Sequence, residues 1–261
     1  MAATTDRRAK TIAFIGPRGG TGTTTVATNV AVALAHYSRA RTTFLDLNIG
    51  RTIADQLLDL PADGVGTVVD LLPVLVELNG ELPSREVLSQ AQVAHPTGLH
   101  VMVASRESEV PAIPEELIRQ LVDGVAADSD VAILDLPSSF DALTYAALGS
   151  AQRILVVAIP DVPTLKRAKA LVQRLRAGSS DGAGVRIVLN RANETHDLSL
   201  QQIEDFLGEP AWVVLPAAPQ EARKYHDRRQ MPVLDLGGPF GKALYLTALK
   251  LHPMKRLAKP K

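Results

Sequence analysis

A chain of 261 residues with 46% hydrophobic residues is long enough to bury a sizeable core and sits near the upper size of one domain. Lysine plus arginine and aspartate plus glutamate both number 28, so the formal net charge is zero and no global field draws the chain to nucleic acid or an anionic membrane. The absence of cysteine excludes disulfides, thiolate-held zinc and iron–sulfur clusters, and fits a reducing, cytoplasmic setting.

Residues 1–10, MAATTDRRAK, read as a disordered tail. The apolar stretch behind them lasts only from Thr11 to Ile15 before Gly16 and Pro17, too short for a signal peptide. Further on, Asp70, Pro73 and Glu77 break up the best candidate for the run of ~20 apolar residues that a bilayer requires. Short β-branched runs then alternate with helical spacing. TIAFI is followed by a predicted helix over 24–39, and TTFLDL by an irregular stretch, 61–96, expected to be a surface excursion of short helices between two strands. LHVMVA precedes a helix over 114–127, VAILDL one over 141–150, and ILVVAI one over 163–177. A flexible turn, GSSDGAG, leads to VRIVLN and a helix over 199–207, then to WVVL and a helix over 219–228. The last helix, 241–251, stops before Pro253, and 253–261 form a basic tail.

Several of these runs are apolar on consecutive positions, as strands of a parallel sheet covered on both faces must be. The fold class expected is therefore α/β, a doubly wound, mostly parallel sheet with helices on both faces, in a single domain over 11–252. In such sheets ligands bind beyond the carboxyl ends of the strands, so the residues just after each run are where chemistry is sought.

GPRGGTGTTT, from Gly16 to Thr25, stands between the first strand and helix. In the phosphate loop GxxxxGK(S/T), backbone N–H groups cradle phosphates, the lysine reaches the β and γ oxygens, and the hydroxyl residue ligates magnesium. Gly22 and Thr24 match, but Thr23 stands at the lysine and Pro17 at the first glycine. The register Arg18, Gly19, Gly20, Thr21, Gly22, Thr23, Thr24 resembles the deviant loop KGGxGK(S/T) of the ParA/MinD superfamily, with both lysines replaced. That resemblance implies an ATP or ADP site with Mg²⁺, built from these residues and Thr25. It also implies a role for Arg18 in place of the lysine that contacts phosphate across a dimer. Amides and the helix N-terminus survive the loss of lysine, so an anion can still bind. The charge placed where negative charge moves in phosphoryl transfer does not survive, and fast hydrolysis is not expected.

FLDLNIG carries Asp46 and Asn48 after the second strand. The superfamily has two aspartates in this switch segment, the second positioning the attacking water; an amide at 48 can hydrogen-bond water but cannot take its proton. VAILDLP ends an apolar strand with Asp135, the place and type of a Walker B carboxylate, so Thr24, Asp46 and Asp135 are the expected magnesium group. Asn190, in the N-R pair after VRIVL, corresponds to the superfamily's adenine-reading asparagine.

Within the superfamily the chain is most similar to the CpaE/TadZ proteins of tight-adherence pili, through GGTGTTTVATNVAVALA, LDLNIG, the stretch from DLPSSFDALTYAALGSAQRI to VPTLKRAKALVQRL, and VRIVLNRANE with LSLQQIEDFLG. The resemblance implies a cytoplasmic homodimeric scaffold whose partners are the pilus secretion ATPase or inner-membrane platform proteins, with weak hydrolysis or none. Two alternatives stand beside it: an active MinD-type ATPase using Arg18, and a DNA-partition protein. The second would need a basic face, for which Arg223, Lys224, Arg228 and Arg229 are diluted by Glu221 and Asp227. Residues 240–261 hold six basic side chains (Lys242, Lys250, Lys255, Arg256, Lys259 and Lys261) and no acid, which would suit a peripheral contact with an anionic membrane. Leu244, Leu246, Leu249 and Leu251 spread too widely around the helix for a clean membrane face, so a packed helix with a solvated tail is expected.

Overall fold

The computed structural model describes residues 10–61, 66–105, 113–178, 184–192, 198–221 and 230–253. In β1 (Lys10–Ile15), Ile12 and Phe14 pack into one core and Ala13 and Ile15 into another, because alternate side chains of a strand leave opposite faces. Helix α1 (Thr23–Ala33) continues through a π-helical turn (Leu34–Ser38) and ends at Arg39, whose φ is 58°. Strand β2 (Thr42–Asp46) and the short α2 (Ala54–Leu57) follow.

The stretch 61–96 holds short helices between two strands, as expected, but it packs into the core rather than forming a surface excursion. It holds helix α3 (Val68–Glu77), with Leu71, Leu72 and Leu75 in the core, then α4 (Arg85–Ser89) and a two-residue strand, β3 (Val93–Ala94). Asp70 is the start signal of α3: its carboxylate accepts from the Thr67 N–H at 2.6 Å, forming a capping box. Pro73 is carried inside the helix.

The remaining elements alternate as expected: β4 (His100–Met102), α5 (Glu115–Asp128), β5 (Val131–Asp135), α6 (Ala142–Gly149), β6 (Arg153–Ala158), α7 (Val162–Ala177), β7 (Val185–Leu189), α8 (Leu200–Leu207) and β8 (Val213–Val214). A 3₁₀ turn (Pro232–Leu234) leads to α9 (Pro239–Leu251), which opens with a proline at its first position, where its missing N–H costs no bond. Lys10 belongs to β1 rather than to a tail. Residues 1–9, most of the expected turn at 178–184, most of the expected helix at 219–228 with its basic cluster, and the tail beyond Pro253 lie outside the described residues.

The strands form one sheet in the order β3-β4-β2-β5-β1-β6-β7-β8. β3 pairs antiparallel with β4; the other pairings are parallel. Helices α3, α5, α6, α7 and α8 cover one face, and α1 and α9 the other. The strand order reverses at β1, between β5 and β6, so a crevice opens at the carboxyl end of β1, the usual ligand position in a doubly wound sheet. Among the described residues no helix is long and apolar enough to cross a membrane.

Candidate phosphate-loop site

The turn between β1 and α1 lies at that crevice. Gly20 and Gly22 have φ of 81° and 84°, the left-handed region that other residues enter only at a cost. Gly22 is the N-cap of α1, with no side-chain capping bond and no acid in the first turn. The first N–H groups of the helix therefore face the crevice with their partial positive charge uncompensated by a side chain. At the lysine position, the Thr23 hydroxyl turns back onto the loop, with its Oγ1 3.0 Å from that of Thr21.

The register of β2 on β5 pairs Asp46 with Asp135, so two carboxylates end adjacent strands side by side, both fully buried. Asn48 joins them: its Nδ2 donates to Asp46 Oδ1 at 2.8 Å and to Asp135 Oδ2 at 2.7 Å, which uses both amide hydrogens. Thr52 donates to the other oxygen of Asp46. Burial first, and then the Asp46 charge, push the Asp135 pKa well above the usual carboxylate range. Burial raises that of Asp46 as well, against the hydrogen bonds from Thr52 and Asn48. Thr24 faces Asp135 closely enough to oppose the rise in smaller measure, yet Asp135 Oδ1 is buried without a hydrogen-bond partner. A buried carboxylate oxygen lacking a donor, with a threonine hydroxyl facing it from the first turn of a helix, is a hard-oxygen donor set that fits a magnesium ion retaining several waters.

Asn190, 4% exposed, supports the loop from the end of β7: Nδ2 donates to the Thr21 carbonyl at 2.9 Å, and Oδ1 accepts from the Arg191 N–H at 3.0 Å. It also borders a cleft of about 320 Å³ whose walls include Gly22, Thr25, Pro216, Pro219 and Phe240. The Arg18 guanidinium is held between the loop and its flank, with Nη1 donating to the Gly19 carbonyl at 3.0 Å. Its Nε donates to Thr164 Oγ1 at 2.6 Å and its Nη2 to Asp161 Oδ2 at 3.0 Å, at the start of α7. Thus Gly19 to Thr25, Asp46, Asn48, Asp135 and Asn190 gather at one crevice, while the Arg18 guanidinium is tied to its flank.

Thr52, Asp161, Thr164 and the cleft walls Pro216, Pro219 and Phe240 are neighbours that sequence reasoning missed. Asp161 had a local signal, since D-x-x-T before a helical run is an N-cap pattern, and Asp161 Oδ1 accepts from the Thr164 N–H at 2.8 Å. Thr52 and Phe240 had none: Thr52 reaches Asp46, six residues back, through an irregular turn with no sequence period, and long-range packing brings Phe240 to the cleft.

Residues 9–179, more than half of the chain, match the family described as AAA domain. The chain belongs to that family. Its relatives are the ParA/MinD-type P-loop ATPases. It is 26% identical over 243 residues to an uncharacterized ATP-binding protein of Methanocaldococcus jannaschii, covering 92% of this chain and 86% of the relative. Among solved structures, a ParA family ATPase from Chlorobium tepidum superposes with a TM-score of 0.79 at 19% identity, covering 94% of this chain and all of that one. The septum site-determining protein MinD of Pyrococcus horikoshii, complexed with Mg-ADP, superposes with a TM-score of 0.75 at 17% identity over 94% and 96% of the two chains. The eight-stranded sheet of this ParA/MinD-family member is the fold of those structures.

Proposed function

We propose that this ParA/MinD-family chain is an ATP- or ADP-binding scaffold that hydrolyses nucleotide weakly or not at all, acts as a homodimer and serves pilus assembly in the manner of CpaE/TadZ proteins. The observation that carries the reading is a split within the site. The main-chain cradle is intact, whereas Thr23 turns its hydroxyl into the loop and Asn48 spends both amide hydrogens on Asp46 and Asp135. Neither group is left to stabilise charge on a transferring phosphoryl group or to accept a proton from water.

Thr24 and Asp135, with Asp46 beside them, would hold Mg²⁺, which supplies charge neutralisation at the phosphates. The Asn190 amide keeps one N–H and one lone pair beyond the bonds it makes, enough to meet a base edge in the adjoining cleft. Arg18 is the candidate for reaching phosphate across a dimer. Its ion pair with Asp161 is partly exposed, and exposed pairs contribute at most about 1 kcal/mol, so release from α7 gives up that pair and the hydrogen bond to Thr164.

Calorimetry with magnesium and ATP or ADP, together with single-turnover hydrolysis, tests the reading. Binding without measurable turnover is expected. The Thr23→Lys variant should bind ATP about ten- to a hundredfold more tightly, the effect of one charge-assisted contact. Thr23→Lys combined with Asn48→Asp should acquire hydrolysis. Turnover in the unaltered protein at the rate of the repaired double variant would refute the scaffold, and so would the absence of any heat of nucleotide binding. Co-purification with a pilus secretion ATPase tests the cellular assignment, and consistent failure to associate would remove it.

A further inference from the structure

Next to the phosphate loop lies a second concavity, of about 430 Å³, whose apolar floor is made of the buried Leu171 and the half-buried Phe140, with the exposed Ala170, Arg167 and Arg174 also lining it. Pro17 of the phosphate loop and Ser138, shortly after Asp135, line it as well. Arg167, Ala170, Leu171 and Arg174 are spaced i, i+3, i+4 and i+7 on α7, so they form one stripe of the helix surface.

The electrostatics of the stripe are unbalanced. Residues 162–177 contain five basic side chains and no acid. Arg176 is paired with Glu209, and Lys169 donates to the Phe206 carbonyl. Arg174 lies over the Tyr145 ring at 5.7 Å, and its place in the last turn suits the helix dipole. Arg167 is mid-helix and gains nothing from the dipole. Among the described residues neither groove arginine has a carboxylate in ion-pair range. Two guanidiniums flanking an apolar floor match a ligand with carboxylates beside an apolar face: the arginines offer bidentate donors, and the floor takes aliphatic or aromatic side chains. The apolar floor distinguishes the groove from a surface built for phosphate backbones, where bonds to phosphate dominate.

We propose that this groove docks an acidic amphipathic helix of a partner protein, with carboxylates on Arg167 and Arg174 and an apolar edge on Phe140, Ala170 and Leu171. The assignment deepens the scaffold reading by naming the chemistry of the partner. Because Pro17 belongs to the phosphate-loop turn and also lines the groove, docking is expected to respond to what the loop holds.

The test is fluorescence anisotropy on the full chain with a labelled helical peptide of about 18 residues, leucine and phenylalanine on one face and glutamates beside them, against the same peptide with glutamine for glutamate. At about 0.15 M salt the acidic peptide should bind at least about tenfold more tightly than the glutamine peptide. The Arg167→Glu/Arg174→Glu variant should abolish that preference, while Gln173→Ala, exposed on the same helix but outside the groove, should retain it. Equal affinity for the two peptides, or an unchanged preference in the double variant, would overturn the proposal. Two other outcomes would also overturn it: duplex DNA competing the acidic peptide away from the groove, or the double variant altering only self-association of the chain. Circular dichroism establishes that the variants are folded. ATP calorimetry on the same double variant separates the readings, since nucleotide binding that persists while peptide binding fails removes the groove and leaves the scaffold.

Discussion

Asn48 uses its amide to hold together two carboxylates that would otherwise face each other inside the protein. The pKa of Asp135, lifted by burial and by Asp46, ties this contact to stability. The unfolded chain keeps the ordinary carboxylate value, so above about pH 4 the folded state holds the extra proton, and stability falls as pH rises through the raised folded value. Asp135→Asn removes this titration. Urea midpoints should therefore show the variant gaining on the parent as pH rises from about 5 to about 8, and magnesium nucleotide should favour the parent. A constant difference across that range would contradict the coupling. At the loop, a Cβ on Gly22 would lie 2.5 Å from Asn190 Nδ2 on a backbone with φ of 84°. Gly22→Ala is expected to cost about 2 kcal/mol in urea unfolding and to weaken nucleotide binding. The identities of Thr23, Asn48 and Asp135 were legible in the sequence because Thr23 opens a helix, Asp135 ends a strand and Asn48 closely follows one. The bridge between Asp46 and Asp135 was not legible, because strand register sets it.

At the scale of elements, α3 shows how local signals mislead. Asp70 and Pro73 look like interruptions in the sequence, yet one caps the helix and the other is accommodated within it. Leu75 is fully buried and Val76 is 61% exposed, so their substitution by alanine separates a core helix from a surface excursion. Leu75→Ala should cost about 2–4 kcal/mol in chemical denaturation. Val76→Ala should lie within about 0.5 kcal/mol of the parent. The other main elements were readable because their apolar runs are long and their periodicity clean. Strand β3 was missed because two residues carry no period.

For the whole molecule, the reversal of strand order at β1 gathers residues from the first, second, fifth and seventh strands at one crevice. A ligand held there braces several parts of the chain at once and binds only the folded state. At about a hundred times its dissociation constant, Mg·ATP should stabilise the protein by about 2.7 kcal/mol, measured as a shift in unfolding midpoint. Light scattering should show nucleotide-dependent dimers. Arg18→Ala should lose the dimer but keep the stabilisation, since the Arg18 guanidinium donates to Asp161, Thr164 and the Gly19 carbonyl and takes none of the loop's N–H donors. Dimerisation unchanged in that variant would remove Arg18 from the interface.

The sequence by itself determined the α/β alternation, the parallel sheet, the phosphate-loop turn and the missing lysine, because hydrophobic period, glycine placement and residue identity are local properties. Tertiary structure alone decided that Asn48 ties Asp46 to Asp135, that Arg18 rests on the start of α7, and that two arginines flank an apolar groove. Asn48 and Asp135, Arg18 and Asp161, and the α7 arginines and Phe140 lie far apart along the chain, and only register and packing bring them within reach of one another.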